Sequence, residues 1–167
     1  MIGKSPPHAH EHVHGAAAAP SALKAAMTLC SERGAQMTPL RRLALETLWD
    51  AGVPLGAYDL MPKLEAALGR KLTPSTVYRA LEFLVTQGFV SRIESQNAFV
   101  PCAHPEKAHA CVFFVCDLCR NSVEVDNPAL EGIVEHEAEQ LGFRVAHSVI
   151  ELRGTCAECR SHEGAPS

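Results

Sequence analysis

The chain has 167 residues, a 47% hydrophobic complement and a formal net charge of −4, from 15 Lys and Arg against 19 Asp and Glu. That composition supports a packed core and excludes wholesale disorder, and the charge argues against a protein that coats nucleic acid without selectivity. With no apolar run of roughly eighteen residues and no basic-then-apolar N-terminal leader, neither a membrane span nor a secretory signal is expected, and the cytoplasm is the default location.

Charge is spread unevenly. Residues 1–92 carry ten Lys and Arg against seven Asp and Glu, a net +3, whereas residues 93–167 carry five against twelve, a net −7. A basic front and an acidic back imply two jobs, one of which involves phosphate.

The first stretch, "MIGKSPPHAHEHVHGAAAAP" over residues 1–20, has few large apolar residues and reads as a disordered tail in which His8, His10, His12 and His14 alternate. A helix is expected from Ser21 to Gly34, with Leu23, Ala26, Met27 and Cys30 on one face and Cys30 acting as a small hydrophobe. Thr38 and Pro39 open the next helix as cap and first-turn proline; Leu40, Leu43, Ala44 and Leu48, flanked by Leu45, form its stripe, and Gly52 ends it. A third helix is expected over Tyr58 to Leu68, where Pro62 should kink it or push its start later. In "TPSTVYRALEFLVTQGF" Thr73 caps, Pro74 takes the first turn and Gly88 lies just past the end. Val77, Leu81, Leu84 and Val85 point to one side of that helix; Ser75, Arg79, Glu82 and Thr86 point to the other, with Thr76 and Tyr78 on the flanks. "FVSRIE" and "AFVPC", separated by "SQN", read as a β-hairpin.

Helices followed by a capped helix and a hairpin describe a winged helix-turn-helix over residues 21–100, in which the last helix enters the DNA major groove. A structural helical bundle would show the same order of elements. Arg79, alone on a small polar face within the basic half, favours DNA, and Ser75, Thr76 and Tyr78 are its neighbouring candidate contacts.

Residues 101–160 change character. "ACVFFVC" and "SVEVD" are expected strands, "PALEGIVEHEAEQLGF" a helix with Leu130, Ile133, Val134, Ala138 and Leu141 on one stripe, and "RVAHSVIEL" another strand. The fold class is therefore α+β: a winged-helix domain and a small α/β domain, divided near residues 95–105, with residues 161–167 as a flexible tail. The exposed sheet edges invite a second copy of the chain.

Seven cysteines, four of them in two Cys-x-x-Cys pairs, point to metal ligation in a reducing compartment. Cys116, Cys119, Cys156 and Cys159 can converge on one structural zinc; a redox dithiol needs no second pair, and iron–sulfur motifs are usually denser. Cys102, His104, His109 and Cys111 remain at the domain boundary. There a second metal could take sulfur, nitrogen and, from Glu124, oxygen, although ordinary loop residues are the plain alternative. Cys111 begins an apolar strand and is expected in the core; His136 is expected in solvent, and His147 fits core or metal equally. An enzymatic reading, a zinc deaminase built on His104-Pro105-Glu106, fails because only nine residues separate Glu106 from Cys116 and no proline precedes that cysteine. No catalytic residues and no small-molecule substrate are expected.

Four segments, "MTPLRRLALETL", "AYDL", "TPSTVYRALEFLVTQGFV" and "FVCDLC…CAEC", resemble the ferric uptake regulator family of metal-dependent repressors, and within it the zinc uptake regulators, over about residues 21–160. The resemblance implies a homodimer that binds palindromic double-stranded operator DNA when loaded with zinc and that controls zinc uptake. An iron- or peroxide-responsive regulator of the same family is the alternative. It assigns Cys116, Cys119, Cys156 and Cys159 to structural zinc, Cys102, His109 and Glu124 to a regulatory zinc at the hinge, and Tyr58 and Arg79 to DNA. Two departures stand out. Iron-sensing relatives carry a His-rich run with an Asp before the first knuckle, where this chain reads "KAHACVF". Zinc regulators commonly place a hairpin ligand where this chain has Ser91; His104 is the first substitute for the fourth ligand, followed by Glu94 or water.

Overall fold

The computed structural model describes residues 19–102, 105–106, 110–125, 127–145 and 148–163. Four helices come first: α1 (Ala19–Glu32), α2 (Pro39–Ala51), α3 (Ala57–Leu68) and α4 (Pro74–Thr86). Two of them start where the cap signals place them. The Thr38 hydroxyl accepts the Arg41 amide at 3.4 Å, and the Thr73 hydroxyl accepts the Thr76 amide at 3.3 Å. Gly52 closes α2 in the left-handed region, φ 63°, where a side chain would be strained. Between α3 and α4 the Glu65 carboxylate takes the Leu72 amide at 2.8 Å and the Lys71 ammonium at 3.0 Å; those two donors hold its pKa below the usual range and fix the turn into α4.

Three details differ from the sequence reading. α3 begins at Ala57, not later, and continues past Pro62, which removes only the amide that would pair with the Tyr58 carbonyl near the helix start. On α1 the buried row is Ala22, Ala26 and Cys30; Leu23 is half-buried and Met27 exposed, because a row of small side chains lets the helix approach its neighbours closely. On α2 the core takes Leu45 and Trp49 with Ala44 and Leu48, leaving Leu40 and Leu43 at the margin. Cys30 is buried, as expected of a small hydrophobe, and burial pushes its thiol up.

The hairpin is β2 (Val90–Ile93) and β3 (Ala98–Pro101), turned by a short 3-10 segment, Glu94–Gln96, and by Asn97 at φ 48°. A two-residue strand, β1 (Leu55–Gly56), pairs with β3 and completes a sheet of order β1-β3-β2. The core of this half joins the helices to Phe89, Val90 and Phe99.

The second half contains β4 (Ala110–Cys116), β5 (Ser122–Val125), α5 (Pro128–Gln140), β6 (Ser148–Gly154) and α6 (Ala157–Glu163). The sheet order is β5-β4-β6, with β4 antiparallel to β5 and parallel to β6. α6 reaches into the stretch read as a flexible tail, and α1 begins within the one read as disordered; residues 1–18 and 164–167 of those tails lie outside the described residues. None of the described residues of α5 is buried: Leu130, Val134 and Ala138 are half-covered, and Ile133 and Leu141 are exposed. Phe114, Val123 and Leu152, in register across the sheet, are exposed on one face as well.

The halves meet along one interface. Ile93 and Val100 of the hairpin pack against Cys111, Phe113 and Val115 of β4, with Val149 of β6 at the margin. At the hairpin tip the Glu151 carboxylate of β6 accepts the Glu94 and Ser95 amides, and Gln96 Nε2 donates to the Arg120 carbonyl at 3.0 Å. β3 ends at Pro101 and β4 begins at Ala110.

Because Thr73 caps the helix that carries Arg79, Thr73→Ala is expected to lower stability by about 1 kcal/mol, read as a lower denaturant midpoint at unchanged slope. An unchanged midpoint would remove the cap from the account.

Candidate metal centre and nucleic-acid interface

Parallel pairing of β4 with β6 sets Cys116 opposite Gly154, so the C-terminal ends of both strands lie side by side. Each end runs into a knuckle. After Cys116 the chain turns through Asp117 to Arg120, with Arg120 at φ 61° and its amide bonded to the Cys116 carbonyl at 3.0 Å. The Asp117 amide reaches across to the Gly154 carbonyl at 2.8 Å, and Arg153 donates to Asp117 Oδ1 at 2.6 Å, which ties the two turns together.

The Sγ atoms of Cys116, Cys119, Cys156 and Cys159 all lie within 4.8 Å of one another. Cys119 Sγ and Cys156 Sγ are 3.8 Å apart. A disulfide needs a separation of about 2 Å, and all seven cysteines are free. Four sulfurs at the Zn–S bond length on a tetrahedron stand about 3.8 Å apart, so the cluster has the dimensions of a closed tetrathiolate site. Its protonation points the same way. Backbone amides of Cys119 and then Cys156 draw the Cys116 thiol down to about 6, while the adjoining Cys156 side chain, then burial, push Cys159 up to about 12. One thiolate is favoured at the expense of the next, and a dication removes that conflict for all four.

The hinge residues are placed less completely. Cys102 is buried at the end of the hairpin, its amide bonded to the Phe89 carbonyl at 2.9 Å. Glu124 lies opposite Phe113 in the ladder, half-exposed, on the β4 face turned toward the hairpin. His104, His109 and His147 lie outside the described residues. Among the described residues the four knuckle cysteines form the one group of metal-binding side chains gathered this closely, so Cys102 and Glu124 are not brought together with a third donor there. His136 is exposed, as expected. The feature missed in the sequence is the contact of Ser91, buried at 2% exposure, whose hydroxyl donates to Cys111 Sγ at 3.2 Å. The two are twenty residues apart, so no local spacing signals the contact.

On α4 the five candidate DNA residues separate into two kinds. Ser75 and Thr76 bond through their hydroxyls to Thr73, at 3.0 and 2.8 Å, and Tyr78 packs half-buried against the helical core. Arg79 and Tyr58 point outward, Tyr58 at 66% exposure, and Arg79 has no ion-pair partner among the described residues. Several of the remaining positive charges are engaged by partners within the chain. Arg41 lies over the Phe83 ring at 3.6 Å, Arg33 donates to the Gln87 carbonyl at 2.7 Å, and Arg42 pairs with Glu46 at 2.7 Å. Lys63 and Arg70 are exposed as well, charges that could meet phosphate.

The model of the ferric uptake regulator family matches residues 32–153. The chain belongs to the ferric uptake regulator family. The zinc uptake regulation protein of Escherichia coli (strain K12) is 39% identical over 140 residues, which are 82% of this chain and 80% of that protein. A solved zinc uptake regulator complexed with zinc and DNA is similar at a TM-score of 0.74 and 35% identity, over 88% of this chain and 98% of the other. Holo XcZur is similar at 0.69 and 40% identity, over 84% of this chain and 98% of the other. The α+β class and the split into a helical first part and a small-sheet second part agree with these structures.

If the four thiols hold one ion, Cys116→Ser is expected to lose one equivalent of tightly bound metal per chain and to lower the thermal midpoint of the protein. Full metal content at an unchanged midpoint, by elemental analysis and calorimetry, would contradict the assignment.

Proposed function

We propose that this protein is a zinc-responsive transcriptional repressor that binds palindromic operator DNA as a homodimer and controls zinc-uptake genes in the cytoplasm. The observation that carries the reading is the wing docked on β4: the interface that joins the α4-bearing half to the metal-bearing half also holds Cys102 on one side and faces Glu124 on the other. Membership of a family whose relatives are named for zinc uptake regulation agrees with it.

Cys116, Cys119, Cys156 and Cys159 would hold a structural zinc, keeping the ends of β4 and β6 together. Cys102, His109 and Glu124, with His104 as the substitute named from the sequence, would hold a regulatory zinc across the hinge. When bound there, zinc supplies a four-coordinate cross-link between hairpin and sheet. Its ligands then restrict the angle between the halves, and the two α4 helices of a dimer stand at the spacing of successive major-groove half-sites. Arg79 is placed to read a base edge, Tyr58 to contact the duplex beside it, and Lys63 and Arg70 to add a salt-dependent phosphate term. Switching a 1:99 mixture of closed and open forms to 99:1 requires a preference of about 5.5 kcal/mol, roughly 10⁴-fold. The exposed apolar residues Phe114, Val123, Leu152, Ile133 and Leu141 are the surface a second chain would cover.

The test titrates operator binding against buffered zinc, iron and manganese with metal content measured alongside. Zinc-specific binding at two zinc ions per chain is expected; binding driven by iron and not by zinc would move the protein to the iron- or peroxide-responsive reading. In the same assay Arg79→Ala should cost about 1–3 kcal/mol of operator affinity with zinc content unchanged. Equal affinity would remove α4 from the DNA interface.

A further inference from the structure

The turn at the tip of the wing is shaped by its own residues but completed by the other half. Arg92 spans it, reaching the Glu94 carboxylate at 3.3 Å and Asn97 Oδ1 at 2.9 Å, and Asn97 closes the 3-10 segment at φ 48°. The first amides of such a segment have no partner inside it, and its N-cap, Ile93, brings no polar side chain to them. One carboxylate from β6 takes both. Glu151 Oε1 accepts the Glu94 amide, and Oε2 accepts the Ser95 amide at 3.2 Å. Glu151 stands opposite Phe113 in the ladder and two residues past Val149, so it belongs to the sheet face on which the wing lies. Gln96 adds a second anchor, donating to the Arg120 carbonyl at 3.0 Å in the turn that joins β4 to β5.

The apolar part of this interface, Ile93 and Val100 against Phe113 and Val115, resists separation but carries no direction of its own. A wing held by that contact alone could slide or turn along β4. Hydrogen bonds fix both distance and angle. A carboxylate can accept from two adjacent amides at once, one on each oxygen, and brings no competing donor. The wing region also shares one core with Val77, Leu81 and Leu84 of α4, so whatever places the wing places Arg79 with it. We propose that Glu151 is a positioning residue for operator binding: its carboxylate caps the wing turn from across the interface and sets the angle at which α4 meets DNA. The proposal rests on the reading of the protein as an operator-binding repressor. Glu151 acts through the wing, with Gln96 as its second anchor, and at the hairpin tip rather than among the hinge ligands.

The test uses full-length, zinc-loaded protein and a palindromic duplex that the unaltered protein selects from a random-sequence pool. Exchange at individual amides, metal content and affinity for that duplex are measured together. Glu151→Ala should speed exchange at the Glu94 and Ser95 amides and weaken DNA binding, each about tenfold, the effect of losing hydrogen bonds to a charged acceptor. Metal content and exchange within β4 should match the unaltered protein, which separates positioning from a general loosening of the sheet. Glu151→Gln keeps one accepting oxygen and should recover part of both losses. Gln96→Ala should weaken DNA binding in the same direction with metal content unchanged. Unchanged exchange at Glu94 and Ser95 in Glu151→Ala would overturn the proposal at the contact itself. Faster exchange there with equal or tighter DNA binding would overturn the role in placing α4. A pool from which the unaltered protein enriches no duplex would instead overturn the repressor reading, and this proposal with it.

Discussion

The alternation of side chains along β4 is the constraint on which the molecule depends. Cys111, Phe113 and Val115 face the hairpin; Val112 and Phe114 face the other way, the first buried and the second half-exposed. The strand ends in Cys116, beside the end of β6. One seven-residue segment thus carries the bed on which the wing lies, one edge of the four-thiol cluster and part of an exposed apolar face. A one-residue slip would send each of these to the wrong side at once, because the period of a strand is two.

On the proposed function, that shared origin would let metal occupancy reach DNA without a long relay. The knuckle cysteines gather at the adjoining ends of β4 and β6, and the wing rests on β4 and is pinned at its tip by Glu151 of β6. Val77, Leu81 and Leu84 of α4 then share one core with Phe89, Val90 and Phe99 of the hairpin region. Each step is a packed or hydrogen-bonded contact between rigid elements, so a restraint at the hinge becomes a restraint on Arg79. The polar contacts at the wing tip are exposed, and the apolar contact beneath them is small. Such an interface is suited to being biased by a ligand bond.

Much of this was legible in the sequence. Thr38-Pro39 and Thr73-Pro74 announce two helix starts by chemistry that acts within one turn, and the four cysteines carry their own spacing. What escaped notice depends on distance along the chain or on brevity. β1 has two residues and no period to detect. Pro62 is tolerated because the lost bond falls early in α3, which residue type alone does not reveal. The Ser91–Cys111 and Glu151–Glu94 contacts join residues 20 and 57 positions apart. Net charge also did not reveal that Arg33, Arg41 and Arg42 are engaged within the chain, by a carbonyl, an aromatic ring and a neighbouring carboxylate.

Hydrogen exchange at the hinge tests the central claim most directly, comparing protein with metal in the knuckle site alone and protein with both sites filled. Slower exchange is predicted at the Glu94 and Ser95 amides and at the N-terminal part of β4 when the second site fills, with exchange at the Asp117 and Cys156 amides unchanged. Operator binding that turns on while hinge exchange stays the same would contradict the account.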